Sequence, residues 1–150
     1  MLLAILAFWQ TGNKVRAVRV LLVDDNAAFV KAATKFVNSL PRVEVLACAA
    51  SAAAGLAQAA RLAPDLVLMD VVMPGMSGLE AARLIKQGAD APKTVMLSLH
   101  NSESYRTRAE FVGADAFVSK SDFVAELPAL LESLFPGWRP MTRLPRKESR

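Results

Sequence analysis

Cysteine and histidine are almost missing from this chain: Cys48 and His100 are the only ones among 150 residues. One thiol cannot close an intramolecular disulfide, which fits a reducing compartment and predicts a cytoplasmic protein. One thiol and one imidazole cannot build a structural zinc site unaided. Neither a G-x-G-x-x-G nor a Walker A pattern occurs, so the usual glycine-rich cradles for dinucleotides and nucleoside triphosphates are excluded. The apolar opening, Met1 to Trp9, falls far short of the roughly 18 residues a spanning helix needs. It also lacks the preceding basic residues and following small-residue site of a signal peptide. No membrane span is expected, and residues 1–17 read as an extension ahead of the domain.

Acidic residues are scarce at both ends. Residues 1–19 contain Lys14, Arg16 and Arg19 and no acid, and residues 138–150 set five basic side chains against Glu148 alone. The formal charge of +4 therefore comes from the ends, while residues 20–137 carry 10 basic and 13 acidic residues. A mildly acidic body lacks the basic face that phosphate backbones select, so direct nucleic-acid binding is not expected. Residues 137–150 read as a basic C-terminal tail.

Between these ends the chain alternates short apolar runs with helical periodicity. Val18 to Val23, Val43 to Ala47, Leu66 to Met69, Thr94 to Ser98 and Ala116 to Val118 have the continuous apolar character of strands buried on both faces. Asn26, Ser51 and Ser102 stand where helix caps belong. They precede helices running to about Leu40, to Leu62 and to just before Gly113, and another helix spans Gly78 to Gln87, with Leu79, Ala82, Leu84 and Ile85 for its buried side. The last helix either begins near Glu126, with Pro128 in its first turn, or starts at Asp122 and kinks; the first is preferred, because proline fits poorly in a helix interior. Five β-α repeats over residues 18–136 predict one α/β domain: a doubly wound, flavodoxin-like parallel sheet of five strands with five helices. Strand order 2-1-3-4-5 is one of the two common solutions for such sheets, and it makes strands 1 and 3 neighbours.

In such sheets chemistry gathers at the carboxyl ends of the strands. Asp24 and Asp25 end the first strand, Asp70 the third, Ser98 the fourth, and Lys120 follows the fifth. Three converging carboxylates repel one another, and a divalent cation relieves the conflict. An all-oxygen donor set with few carboxylates suits Mg²⁺, which completes its shell with water and phosphate oxygens. A carboxylate nucleophile, a metal, a cation and a hydroxyl are the parts needed to move a phosphoryl group onto an aspartate.

These residues carry a family resemblance. Val20-Leu21-Leu22-Val23-Asp24-Asp25-Asn26, Asp65-Leu66-Val67-Leu68-Met69-Asp70, Met73-Pro74-Gly75-Met76-Ser77-Gly78, Met96-Leu97-Ser98 and Gly113 to Lys120 together resemble the receiver domain of two-component response regulators. The resemblance implies that Asp70 is the phosphoacceptor, charged by a histidine kinase or phosphotransfer protein. It implies Mg²⁺ held by Asp25, Asp70 and the Val72 backbone carbonyl, with Asp24 acting largely through water. Lys120 and Ser98 hold the phosphoryl group in this picture, and Ser98 and Phe117 form the switch. The surface around the fourth helix, fifth strand and fifth helix, including Tyr105, Arg106 and Arg108, then meets an unidentified downstream partner or forms a homodimer. Turnover enzymology is not implied, beyond self-phosphorylation and self-dephosphorylation.

Leu97-Ser98-Leu99-His100 resembles receivers that precede a LuxR-type helix-turn-helix domain, which residues 138–150 are too short to supply. Leu99 is larger than the residue the family often has after its Ser or Thr, and Ser121 stands where proline often follows the lysine. The competing readings are a receiver that binds partners without phosphorylation and a truncated transcription regulator. A haloacid-dehalogenase-like phosphatase is disfavoured because Val72 stands where its second acid belongs. A flavodoxin is disfavoured because Asp24 and Asp25 would repel a flavin phosphate.

Overall fold

The computed structural model describes residues 16–100 and 102–139. Most of the N-terminal extension and of the basic tail therefore lies outside the described residues. Five strands, β1 (Val18–Val23), β2 (Val43–Ala49), β3 (Leu66–Asp70), β4 (Lys93–Ser98) and β5 (Ala116–Ser119), alternate with α1 (Ala27–Ser39), α2 (Ala52–Leu62), α3 (Gly78–Lys86), α4 (Glu103–Phe111) and α5 (Phe123–Leu134). All pairings are parallel, in the order β2-β1-β3-β4-β5. This is the doubly wound fold that the strand and helix signals predict.

Period-two alternation sorts the strand side chains into two cores. Val18, Val20, Leu22, Leu66, Leu68, Val95, Leu97 and Val118 face Ala33 and Val37 of α1 and Phe123, Leu127 and Leu131 of α5. Leu21, Val23, Val67, Met69, Met96 and Phe117 face the small residues Ala52, Ala81, Ala82 and Ala109 of α2, α3 and α4. A strand buried on both faces has no polar side to show, which is why these runs are continuous in sequence.

The caps form as expected: Asn26 Oδ1 accepts from Phe29 N–H at 2.9 Å and Ser51 Oγ from Ala54 N–H at 3.1 Å. Ser77 Oγ accepts from Glu80 N–H at 3.1 Å and Ser102 Oγ from Tyr105 N–H at 3.4 Å. At the N-terminal end of the sheet two acids staple neighbouring strands. Asp65 accepts from Arg19 N–H at 2.9 Å, and Asp115 from Thr94 N–H at 2.8 Å.

Three details differ from the sequence expectation. The last helix begins at Phe123, not near Glu126, and Pro128 lies inside it. Burial of Phe123 against Phe29 and Phe36 extends the helix backwards. Pro128 leaves only the carbonyl of Val124 without its helical donor, and Val124 is exposed. On α3 the buried positions are Gly78, Ala81 and Ala82, whereas Leu84 is exposed, because at helical spacing it falls on the flank of the face they form. Trp138, within the 137–150 stretch, is buried in the α1/α5 core and its indole N–H donates to the Pro41 carbonyl at 2.8 Å.

Candidate functional site

Val23 of β1 pairs with Met69 of β3, so the next residues, Asp24 and Asp70, lie side by side at the C-terminal end of the sheet. Asp24 is buried, held by its own N–H to the Ala49 carbonyl at 3.0 Å and by Asn26 N–H donating to its Oδ1 at 2.8 Å. Asp25 turns outward and is exposed. Asp70 is buried, and the N–H of Val72 donates to its Oδ1 at 3.3 Å. Oxygens of Asp24, Asp25 and Asp70 all come within 4.8 Å of one another.

Lys120 reaches this cluster from just beyond β5. Its Nζ lies 2.6 Å from Asp24 Oδ2 and 3.4 Å from Asp70 Oδ2. Its backbone N–H donates to the Ser98 carbonyl at 2.7 Å, tying the lysine to the end of β4. Ser98 is buried, and its Oγ accepts from His100 N–H at 3.2 Å. Asp25, Asp70, Val72, Ser98 and Lys120 line one cavity of about 610 Å³, with Leu99, His100 and Tyr105 at its wall.

Burial, then the neighbouring charge of Asp24, raises the Asp70 carboxyl from 3.8 to about 6. Lys120 and the Val72 N–H pull the other way without cancelling that rise. Asp70 thus ionises less readily than an ordinary carboxylate, as burial beside a second acid requires.

Three carboxylates and one ammonium leave excess negative charge in a partly closed site. Asp24 Oδ2 is buried and is paired with the Lys120 ammonium at 2.6 Å. One ammonium does not balance three carboxylates, and a set of hard oxygen donors within 4.8 Å of one another fits a small divalent cation.

Phe117 does not join the cavity lining. It is buried one layer below, on the face of the sheet that α4 covers, with the Arg106 guanidinium 4.9 Å from its ring centroid. Two residues of consequence were missed from sequence. Gly78, read simply as a helix start, has no room for a side chain, since a Cβ there would lie 1.7 Å from the Asp70 carbonyl oxygen. Phe29, whose sequence position shows only an apolar residue in the first turn of α1, presents its ring to Lys120 Nζ at 4.7 Å. Its place one turn into the helix that follows Asp24 and Asp25 was the available signal.

The family model for the response regulator receiver domain matches residues 20–132. The chain is 33% identical over 122 residues to the response regulator GacA of Pseudomonas viridiflava, covering 81% of this chain and 57% of that protein. It is 38% identical over 119 residues to protein-glutamate methylesterase/protein-glutamine glutaminase 2 of Cereibacter sphaeroides, covering 77% of this chain and 33% of that protein. A LuxR-family two-component response regulator from Aurantimonas sp. has a similar structure, with a TM-score of 0.75 and 31% identity over 83% of this chain and 89% of that one. The chain thus spans little more than half the length of curated response regulators such as GacA, and a third of the methylesterase. It belongs to the response regulator receiver domain family.

Proposed function

We propose, from membership of the receiver family and from the geometry around Asp70, that the chain is the phosphoacceptor of a two-component phosphorelay in the cytoplasm. The observation that carries this reading is a raised-pKa carboxylate at a strand end, flanked by two further acids and shared with one buried lysine.

A carboxylate oxygen of Asp70 attacks the phosphorus of a phosphohistidine on a kinase or phosphotransfer protein. The new P–O bond forms as the P–N bond breaks, and the imidazole leaves with that electron pair, neutral because its other ring nitrogen is protonated. Asp25, Asp70, Asp24 and the Val72 backbone carbonyl would hold Mg²⁺. When bound, the ion offsets the negative charge that keeps a phosphoryl donor away from three carboxylates.

Phosphorylation places more negative charge and more acceptor oxygens on Asp70. Lys120 is already within reach and is drawn from Asp24 toward them. The Ser98 hydroxyl can donate to one of the same oxygens. Because Lys120 N–H is bonded to the Ser98 carbonyl, the ends of β4 and β5 move as one. That motion passes to Phe117 and, through its contact with Arg106, to α4. The surface of α4, β5 and α5, with Tyr105, Arg106 and Arg108, is where a downstream protein or a second copy of the chain docks. The chain works as a switch, not a turnover enzyme, and reaches DNA, if at all, through another domain or protein.

Phosphoramidate, a small donor with a P–N bond, tests the reaction directly. Incubation with Mg²⁺ should yield a phosphoprotein that alkali hydrolyses, as it does acyl phosphates, and none in the presence of a chelator. An alkali-stable product, or equal yield without the metal, contradicts the reading.

A further inference from the structure

Beside the Lys120 ammonium, in addition to Asp24 and Asp70, stands an aromatic ring. Lys120 Nζ lies 4.7 Å from the ring centroid of Phe29, and its side chain is only 7% exposed. An ammonium this far out of water needs compensation on every side. The carboxylates supply part of it as ion pairs, at 2.6 and 3.4 Å, and the negative face of an arene supplies part without accepting a conventional hydrogen bond. An aliphatic side chain at position 29 would leave that part uncompensated. A polar one would compete for its N–H groups. The ring attracts the charge and leaves the donors free for carboxylate or phosphoryl oxygens.

The ring is itself fixed. It meets Phe123 edge-on at 5.7 Å, and Phe123 is held in turn by Phe36 at 5.9 Å. The N–H of Phe29 donates to the Asn26 cap, so the turn that carries Asp24 and Asp25 also places the ring. The far end of the lysine segment is clamped as well, since Ser119 Oγ donates to Asp122 Oδ2 at 2.9 Å. We propose that Phe29 is a positioning residue for phosphoryl acceptance: its ring holds the Lys120 ammonium over the Asp24–Asp70 pair, ready to follow an incoming phosphoryl oxygen. This rests on the reading of Asp70 as the phosphoacceptor.

The test uses the full chain with Phe29→Leu, Phe29→Tyr and Phe36→Leu. Phe29→Leu removes the arene, Phe29→Tyr keeps it, and Phe36→Leu loosens the same aromatic cluster without touching Lys120. The first readout is the NMR shift of the Lys120 ε-CH₂ protons, assigned through Lys120→Arg. The ring current of Phe29 displaces it in the parent and in Phe29→Tyr, and the displacement is lost in Phe29→Leu. The second is phosphorylation by acetyl phosphate. Phe29→Leu should lower the maximal rate about tenfold while the half-saturating Mg²⁺ stays within about twofold, with Phe29→Tyr restoring the rate. An unshifted Lys120 resonance in the parent, an unchanged rate in Phe29→Leu, or an equal loss in Phe36→Leu overturns the proposal. A parent that accepts no phosphoryl group overturns the phosphoacceptor reading instead, and the Lys120 shift then decides alone whether the ring holds the ammonium.

Discussion

The ammonium of Lys120 lies closer to Asp24 than to Asp70, at 2.6 Å against 3.4 Å. The cation nearest Asp70, the proposed phosphoacceptor, is therefore held chiefly by that residue's neighbour. Both acids are buried, so the lysine is needed for folding as well as for chemistry. Lys120→Met should destabilise the protein by about 3 kcal/mol at neutral pH, because two close carboxylates lose their common partner. Adding Asp24→Asn should recover much of that loss. A denaturant double-mutant cycle measures both, and additive effects would contradict the shared-cation arrangement.

Asp70 makes stability depend on pH with a definite sign. Its carboxyl is raised in the fold to about 6 from 3.8, so the native state binds the proton more tightly than the unfolded chain. For a raised acid, stability is greatest below the unfolded value, falls as pH climbs between the two values, and levels off above the higher one. Asp70→Asn removes this penalty. It should stabilise the protein by roughly 1–3 kcal/mol at pH 7.5, and the difference should shrink toward zero near pH 4. Thermal unfolding of both proteins across that range checks the slope.

Much of this arrangement was legible in the chain. Continuous β-branched and apolar runs marked strands covered on both sides, and a carboxylate at the end of such a run could only emerge at the rim. Asn26, Ser51 and Ser102 announced their helices through cap chemistry. Other features depend on tertiary contacts that no local pattern encodes. Pro128 argued for a late start to α5, and the burial of Phe123 overrode it. Adjacent acids look alike in sequence, and contacts with Ala49, Asn26 and Lys120 separate buried Asp24 from exposed Asp25. Trp138 reads as part of the basic tail and instead closes the core beside Pro41.

Gly78 carries a steric prediction. A methyl group there would overlap the Asp70 carbonyl oxygen at 1.7 Å, and that oxygen belongs to the backbone of the central strand. Gly78→Ala should therefore cost about 3 kcal/mol or more, by forcing α3 away from β3. Gly75→Ala, with open space around it but φ at +81°, should cost only about 1–2 kcal/mol. Comparable losses in the two variants would show that α3 is not held against the Asp70 carbonyl.

A divalent cation should stabilise the fold through the three acids. At 100 times its dissociation constant, Mg²⁺ should add about 2.7 kcal/mol to unfolding stability. The gain should disappear in Asp25→Asn and weaken as pH falls through the Asp70 value of about 6, where proton and metal compete. Equal stabilisation of the parent and Asp25→Asn would remove the three-acid site from the account.

Locating the phosphoryl group tests the central claim most directly. Acetyl phosphate with Mg²⁺ should phosphorylate the folded protein, and borohydride reduction of an aspartyl phosphate converts that residue to homoserine. Peptide mass mapping should then find homoserine at position 70 and nowhere else, with no labelled product from Asp70→Asn. Homoserine at another aspartate, or a folded, Mg²⁺-binding protein that accepts no phosphoryl group, would contradict the assignment of Asp70 as the phosphoacceptor.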